Sequence, residues 1–171
     1  MTEKINSGPA GVLIKRPGQD WWISSPIAIP LLDGAKLPII YVDLVPERDP
    51  TFIAAADQAL NSFLAMTLAD RDTLSESVYK NCQDTIHSLG GDYIPEEILN
   101  LHNAQDIWRY VEPTELCLTR GNDNDDIYLQ LLCECGWEQE HGLQLVFHEG
   151  YRLVRVSQQD GYLTDEEAGE D

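Results

Sequence analysis

From Tyr128 to Trp137 the chain alternates, with Leu129, Leu131, Cys133, Cys135 and Trp137 on one side and Tyr128, Gln130, Leu132, Glu134 and Gly136 on the other. A period of two held this long is the signature of a β-strand with one buried face. The spacing predicts a strand over Ile127–Cys135, preceded by another over residues 115–119, with the polar loop 121–126 between them. A hairpin follows: Leu143–His148, a Glu149-Gly150 turn, and residues 151–156. A two-residue turn would set Phe147, Leu145 and Leu143 against Arg152, Val154 and Val156.

The first forty-five residues also read as strands, over residues 21–23, 27–32 and 37–44, with Asp33-Gly34 as a favoured turn pair. Pro26, Pro30 and Pro38 lack an amide donor, which places these strands at an edge or interrupts them. Between the two strand regions the period changes. Asp49 reads as an N-cap and Pro50 as the first helical residue, and Phe52, Ala56, Ala59, Leu60, Phe63 and Leu64 recur at helical spacing. A second helix is expected from about Thr73, with Leu74, Val78, Cys82, Ile86 and Leu89 on one face and Gly90-Gly91 ending it. Shorter helical pieces are expected over residues 96–101 and 105–109.

Strand runs separated from helix runs imply an α+β fold, an antiparallel or mixed sheet of strand hairpins with two helices packed on one face. At 171 residues one core is expected, a single domain over residues 1–163. A chain of this length buries roughly 70% of its unfolded surface and needs no staple. Residues 164–171 are acidic and are expected as a disordered tail.

Charge is the most unusual global property. Thirty acidic and eleven basic side chains give a net charge of −19, and residues 91–171 alone hold nineteen acidic against four basic groups. A field of that sign repels nucleic acid and anionic membrane and attracts basic proteins or cations. No apolar run reaches the roughly 18 residues of a membrane span, and no signal-peptide core is evident. The expectation is a cytoplasmic protein with neither a nucleic-acid nor a membrane partner. Cys82, Cys117, Cys133 and Cys135 fit a reducing compartment. Cys133 and Cys135 point to one face, and with Cys117 from a neighbouring strand they would offer soft ligands to zinc, but they fall in the apolar alternation and read as small buried hydrophobes. Neither a metal nor another cofactor is expected.

Two stretches hold candidate binding residues. Asp123, Asp125 and Asp126 form an oxygen-rich loop, which lacks the central Gly and distal Glu of a full calcium loop. Trp137, Glu138, Glu140 and His141 lie between two strands, and there two carboxylates and an imidazole offer the minimum for proton transfer or metal binding. The simpler reading gives the turn to Gly142, the core to Trp137 and Leu143, and a hydrogen-bonding role to His141. No catalytic residue is assigned.

The stretch Cys135-Gly136-Trp137-Glu138-Gln139-Glu140-His141-Gly142-Leu143 resembles the C-x-W-x-x-E-H-G-L signature of an uncharacterised bacterial family, a domain of unknown function. The element order around it, roughly residues 20–163, is similar too. The resemblance implies a fold relative and, for some members, toxin–immunity neighbourhoods; it carries over no catalytic residue. The expected function is a non-enzymatic protein-binding module, an immunity-type inhibitor of a basic protein. The alternative is a metal-dependent hydrolase or metal-binding enzyme using Glu138, Glu140 and His141.

Overall fold

The computed structural model describes residues 2–169. Eight strands form one sheet in the order β1-β2-β3-β6-β7-β8-β9-β10, where β1 is Lys4–Ser7, β2 Gly11–Lys15, β3 Trp22–Ser24, β6 Ile39–Tyr41, β7 Val111–Arg120, β8 Ile127–Cys135, β9 Leu143–His148 and β10 Arg152–Ser157. A separate two-stranded ribbon pairs β4 (Ile27–Ile29) with β5 (Ala35–Leu37). Pro30 opens a short 3-10 turn after β4, and Asp33-Gly34 reverses the chain as their turn chemistry predicts. The expected strand over residues 37–44 is interrupted at Pro38, whose carbonyl accepts the Leu116 amide at 3.1 Å.

Neighbouring strands run antiparallel except β6 and β7, which are parallel. Parallel neighbours need a long crossover, and here it carries the helices α1 (Phe52–Leu64), α2 (Leu68–Leu89) and α3 (Glu96–Leu99), then a 3-10 segment over Ala104–Tyr110. The fold is therefore α+β with a mixed sheet. α1 buries Phe52, Ala56, Ala59, Leu60 and Phe63, the stripe legible in the sequence, against Leu129, Leu131, Leu145 and Phe147. The Phe63 and Phe147 rings meet edge-on at 5.3 Å between centroids. Trp22 is buried and donates its Nε1–H to the Leu44 carbonyl, whereas Trp21, the residue before β3, is half-buried. α1 and α2 meet at 95°, and no single helix among the described residues is long and apolar enough to cross a membrane.

Four sequence expectations change. Thr51, not Asp49, precedes the first helical residue, because the Asp49 carboxylate is taken by Arg120 across the fold. α2 begins at Leu68 rather than near Thr73, because Thr67 and Asp70 form a reciprocal capping box in the stretch that breaks the apolar pattern. The β9–β10 register also differs: Leu153 opposes Phe147 and Val156 opposes Leu145. One extra residue enters through a loop over residues 149–151, and a second through a bulge between Leu153 and Arg155.

The fourth change concerns the tail. The outer face of the sheet carries Tyr128, Val146 and Val154, and Leu163 packs on them. Arg155, almost wholly buried, binds Asp160 and Asp165 at 2.6 Å each. Glu167 accepts the Leu163 amide at 2.9 Å. Residues 164–169 are thus folded against the sheet instead of forming a disordered tail, since a buried guanidinium needs anionic partners and these residues supply them. The remainder of that expected tail, residues 170–171, lies outside the described residues.

Candidate functional site

The signature turn between β8 and β9 is built from the inside outward. Trp137 is buried and donates its Nε1–H to Asn81 Oδ1 of α2 at 3.0 Å. Glu138 accepts the backbone N–H of His141 at 3.1 Å and lies 3.3 Å from its Nδ1. The Gly142 amide closes the turn onto the Glu138 carbonyl at 3.0 Å. Gly142 has φ +70°, and a Cβ there would lie 2.8 Å from the Cys133 carbonyl oxygen. Only glycine satisfies both demands. By contrast, the His141 side chain is 53% exposed and that of Glu140 is 84% exposed, 4.0 Å from the imidazole. Glu138 lines a hollow beside α2, but Glu140 and His141 do not line it. The three side chains do not converge on one cavity.

This geometry separates two substitutions. His141→Ala should change the unfolding free energy by no more than about 0.5 kcal/mol, because an exposed ion pair contributes little. Trp137→Phe should cost about 1–2 kcal/mol through the buried hydrogen bond it leaves unmade at Asn81. Urea denaturation of the two variants checks the contrast.

The cysteines are buried and free. Cys133 and Cys135 face the helices in the main core, whereas Cys117 stands opposite Gln130 on the other face of the sheet. The register thus keeps Cys117 away from the pair. Burial pushes the Cys135 thiol up to about 11 and the Cys82 and Cys117 thiols up to about 12.

The acidic loop sits at the end of the sheet where the β9–β10 turn also arrives. Its backbone closes by a bond from the Gly121 amide to the Asp126 carbonyl at 2.8 Å. Arg120 anchors it, donating to the Asp125 carbonyl, to both Asp49 oxygens at 2.8 and 3.0 Å and to Thr51 Oγ1 at 2.9 Å. Hydrogen bonding from Arg120 holds the Asp49 carboxyl below its ordinary range. Asp123 and Asp125 are exposed, while Asp126 meets His148 Nε2 at 2.8 Å. Glu149 accepts the Ile127 amide at 3.1 Å.

Asp126, His148 and Glu149 bring ligand atoms within 4.8 Å of one another, a donor set suited to a divalent cation. The hydrogen bonds already present engage that set differently. Arg152 Nη2 lies 3.2 Å from His148 Nδ1, and a guanidinium can only donate. Nδ1 therefore holds the lone pair, and Nε2 carries the proton given to Asp126. In that tautomer the imidazole positions Asp126 and offers the cluster no lone pair. Sequence reading missed Arg120, His148, Glu149 and Arg152. The signal for His148 was present: carrying the β8–β9 pairing outward from Cys133 and Leu143 sets His148 opposite Tyr128, two residues from Asp126.

Residues 12–163 match the family model of a domain of unknown function, DUF6985. The chain belongs to that family. The match spans the signature turn, the acidic loop and the β9–β10 turn, and leaves out β1 and the segment after Leu163. No curated protein and no solved structure matches the chain. Family membership brings no activity with it, so the functional reading rests on the chain's own residues.

Proposed function

We propose that this chain is a non-enzymatic binding module for a basic protein, working as an immunity-type inhibitor in a bacterial cytoplasm. One observation carries the reading. The acidic loop and the acidic C-terminal segment, some forty residues apart in sequence, meet at one place, where Asn122 Nδ2 donates to Glu167 Oε1 at 3.3 Å. Asp123, Asp125 and Glu166 are exposed there together, while the nearby cations Arg120 and Arg155 are already paired with carboxylates. A concentrated anionic face speeds encounter with a cationic partner and disfavours anionic ones. Four buried free thiols suit a reducing compartment. The bacterial and immunity elements rest on the resemblance of the signature alone. The metal-hydrolase alternative loses support because Glu140 and His141 face solvent.

The test has two steps: affinity capture from native cells with mass spectrometry, then association kinetics of the captured partner. The expected partner is a basic protein whose on-rate falls roughly tenfold or more between low and physiological salt. The triple variant Asp123→Lys, Asp125→Lys, Glu166→Lys should bind it more slowly. An on-rate indifferent to salt would leave the acidic face as a solubility feature and overturn the proposal.

A further inference from the structure

The β8–β9 ladder sets His148 opposite Tyr128, at the end of the sheet where the acidic loop closes. The two rings pack edge-on with centroids 5.2 Å apart, which fixes the imidazole. Asp126, two residues before Tyr128, is held by its backbone: its amide donates to Asn124 Oδ1 at 2.9 Å and its carbonyl accepts the Gly121 amide. Glu149 follows His148 directly and has a left-handed φ of +53°, a conformation that costs energy for a residue with a Cβ. The turn aims its carboxylate back over β8, where Oε1 accepts the Ile127 amide. Oε2 makes no hydrogen bond with any described residue.

Asp126, His148 and Glu149 thus bring an imidazole and two carboxylates within 4.8 Å of one another. That mixture suits zinc, whereas calcium and magnesium favour oxygen donors alone. Zinc holds its donors at about 2.0–2.2 Å, which sets them roughly 3.4 Å apart in a tetrahedron. The Asp126–His148 pair, at 2.8 Å, has to open slightly and Glu149 to close in, both within reach of a side-chain rotation. The His148 and Asp126 side chains are 20% and 48% exposed, so an ion has a path from solvent. Around the set the carboxylates Asp49, Asp125, Asp126 and Glu149 outnumber the guanidiniums Arg120 and Arg152. The local field favours a cation.

One proton closes the set. Arg152 Nη2 donates to Nδ1 at 3.2 Å, so Nε2 carries the ring proton and gives it to Asp126 at 2.8 Å. Arg152 is exposed, and a surface contact of this kind costs little to break. We propose that Asp126, His148 and Glu149 form a zinc site that Arg152 guards, opened when the ring proton moves from Nε2 to Nδ1. The imidazole keeps one proton throughout: Nε2 loses it and gives its lone pair to the metal, and solvent returns one to Nδ1 as Arg152 withdraws. The ring stays neutral, as a metal-bound histidine requires. Three protein donors leave the fourth position to water. The site adjoins the acidic face proposed above but uses none of Asp123, Asp125 and Glu166. Zinc binding is read without a protein partner, so either proposal can fail while the other stands.

The probe is Zn2+ titrated into the full, reduced chain, followed by calorimetry and by the ring 15N shifts of the histidines. One equivalent should bind with a dissociation constant below about 50 µM, and the protonated nitrogen of His148 should change from Nε2 to Nδ1. Ca2+ and Mg2+ at the same concentration should leave that proton on Nε2. His148→Gln should weaken zinc binding at least about tenfold, while His141→Ala leaves it unchanged. Arg152→Glu should tighten it about tenfold, because a carboxylate there accepts the Nδ1–H that the guanidinium opposes. That gain in affinity does not arise from a loss of folding. Zinc binding that is indifferent to His148→Gln, an Nε2 that keeps its proton at saturating zinc, or an Arg152→Glu variant no tighter than the parent would each overturn the proposal.

Discussion

Gly150→Ala should lower the unfolding free energy by about 2–4 kcal/mol, from strain at a left-handed backbone and forced displacement of a packed helix. The residue has φ +82°, and a Cβ on it would lie 1.9 Å from the Ala59 carbonyl oxygen and 2.6 Å from the carbonyl carbon. The obstructing atoms are α1 backbone, so no rotamer change relieves the overlap; the turn or the helix must move. Ala59 and Leu60 are buried in the main core, which transmits such a shift. The turn also places Glu149, whose amide bonds the Ile127 carbonyl at 2.8 Å and whose carboxylate accepts the Ile127 amide. Moving it therefore loosens the end of β8 as well. Gly161→Ala is the comparison, because Gly161 shares a positive φ of +81° but its Cβ would meet nothing within 4 Å. It should cost roughly 1 kcal/mol, the backbone strain alone. Equal urea midpoints for the two variants would show that the close approach to α1 carries no energetic weight.

The contrast between Gly150 and Gly161 also marks where sequence reading stops. Both read as turn glycines, and nothing local distinguishes the one lying against a helix. The same division runs through the fold. β8 and β9 were legible to the residue because their alternation is set by one buried face, and the α1 stripe was legible because it faces that same core. β1 and β2 were not: Val12 and Ile14 are exposed and only Leu13 is fully buried, so their pattern is too weak to read alone. The tail was misread for a related reason. Its acidity looks like disorder until Arg155, itself inconspicuous in a β-rich segment, is seen to need Asp160 and Asp165. In the signature, Trp137 lies in the core and Gly142 makes the turn, where the simpler of the two readings placed them, while the partner that fixes Trp137, Asn81, lies more than fifty residues away.

Raising the pH above about 9 should unfold the protein far more readily than neutral conditions do, because its buried thiols resist ionisation only in the folded state. Burial raises the Cys135 thiol to about 11 and the Cys82 and Cys117 thiols to about 12, and Cys133, deepest in the core, is raised further. An unfolded thiol ionises near about 8.5. Below that value both states hold the proton, and the stability is present in full. Above it the unfolded chain releases protons that the folded chain keeps, so stability falls as pH rises toward the folded values. Each thiol contributes a slope of about 1.4 kcal/mol per pH unit, and four acting together approach roughly 5 kcal/mol per unit. A typical domain has only about 5–15 kcal/mol to lose, so the transition should be complete within a unit or two above pH 9.5. Tyr41 reinforces the trend at the upper end: it is raised by burial first and by its hydrogen bond to Asp57 second. Urea midpoints under reducing conditions at pH 8, 9 and 10 measure the slope directly. Cys133→Ala should lower stability at pH 8 yet flatten the decline by about 1.4 kcal/mol per pH unit, a pairing that simple loss of packing does not produce. A midpoint unchanged from pH 8 to 10 would mean that the thiols reach water without unfolding, and the sheet–helix interface around Cys82, Cys133 and Cys135 would then be looser than its packing indicates.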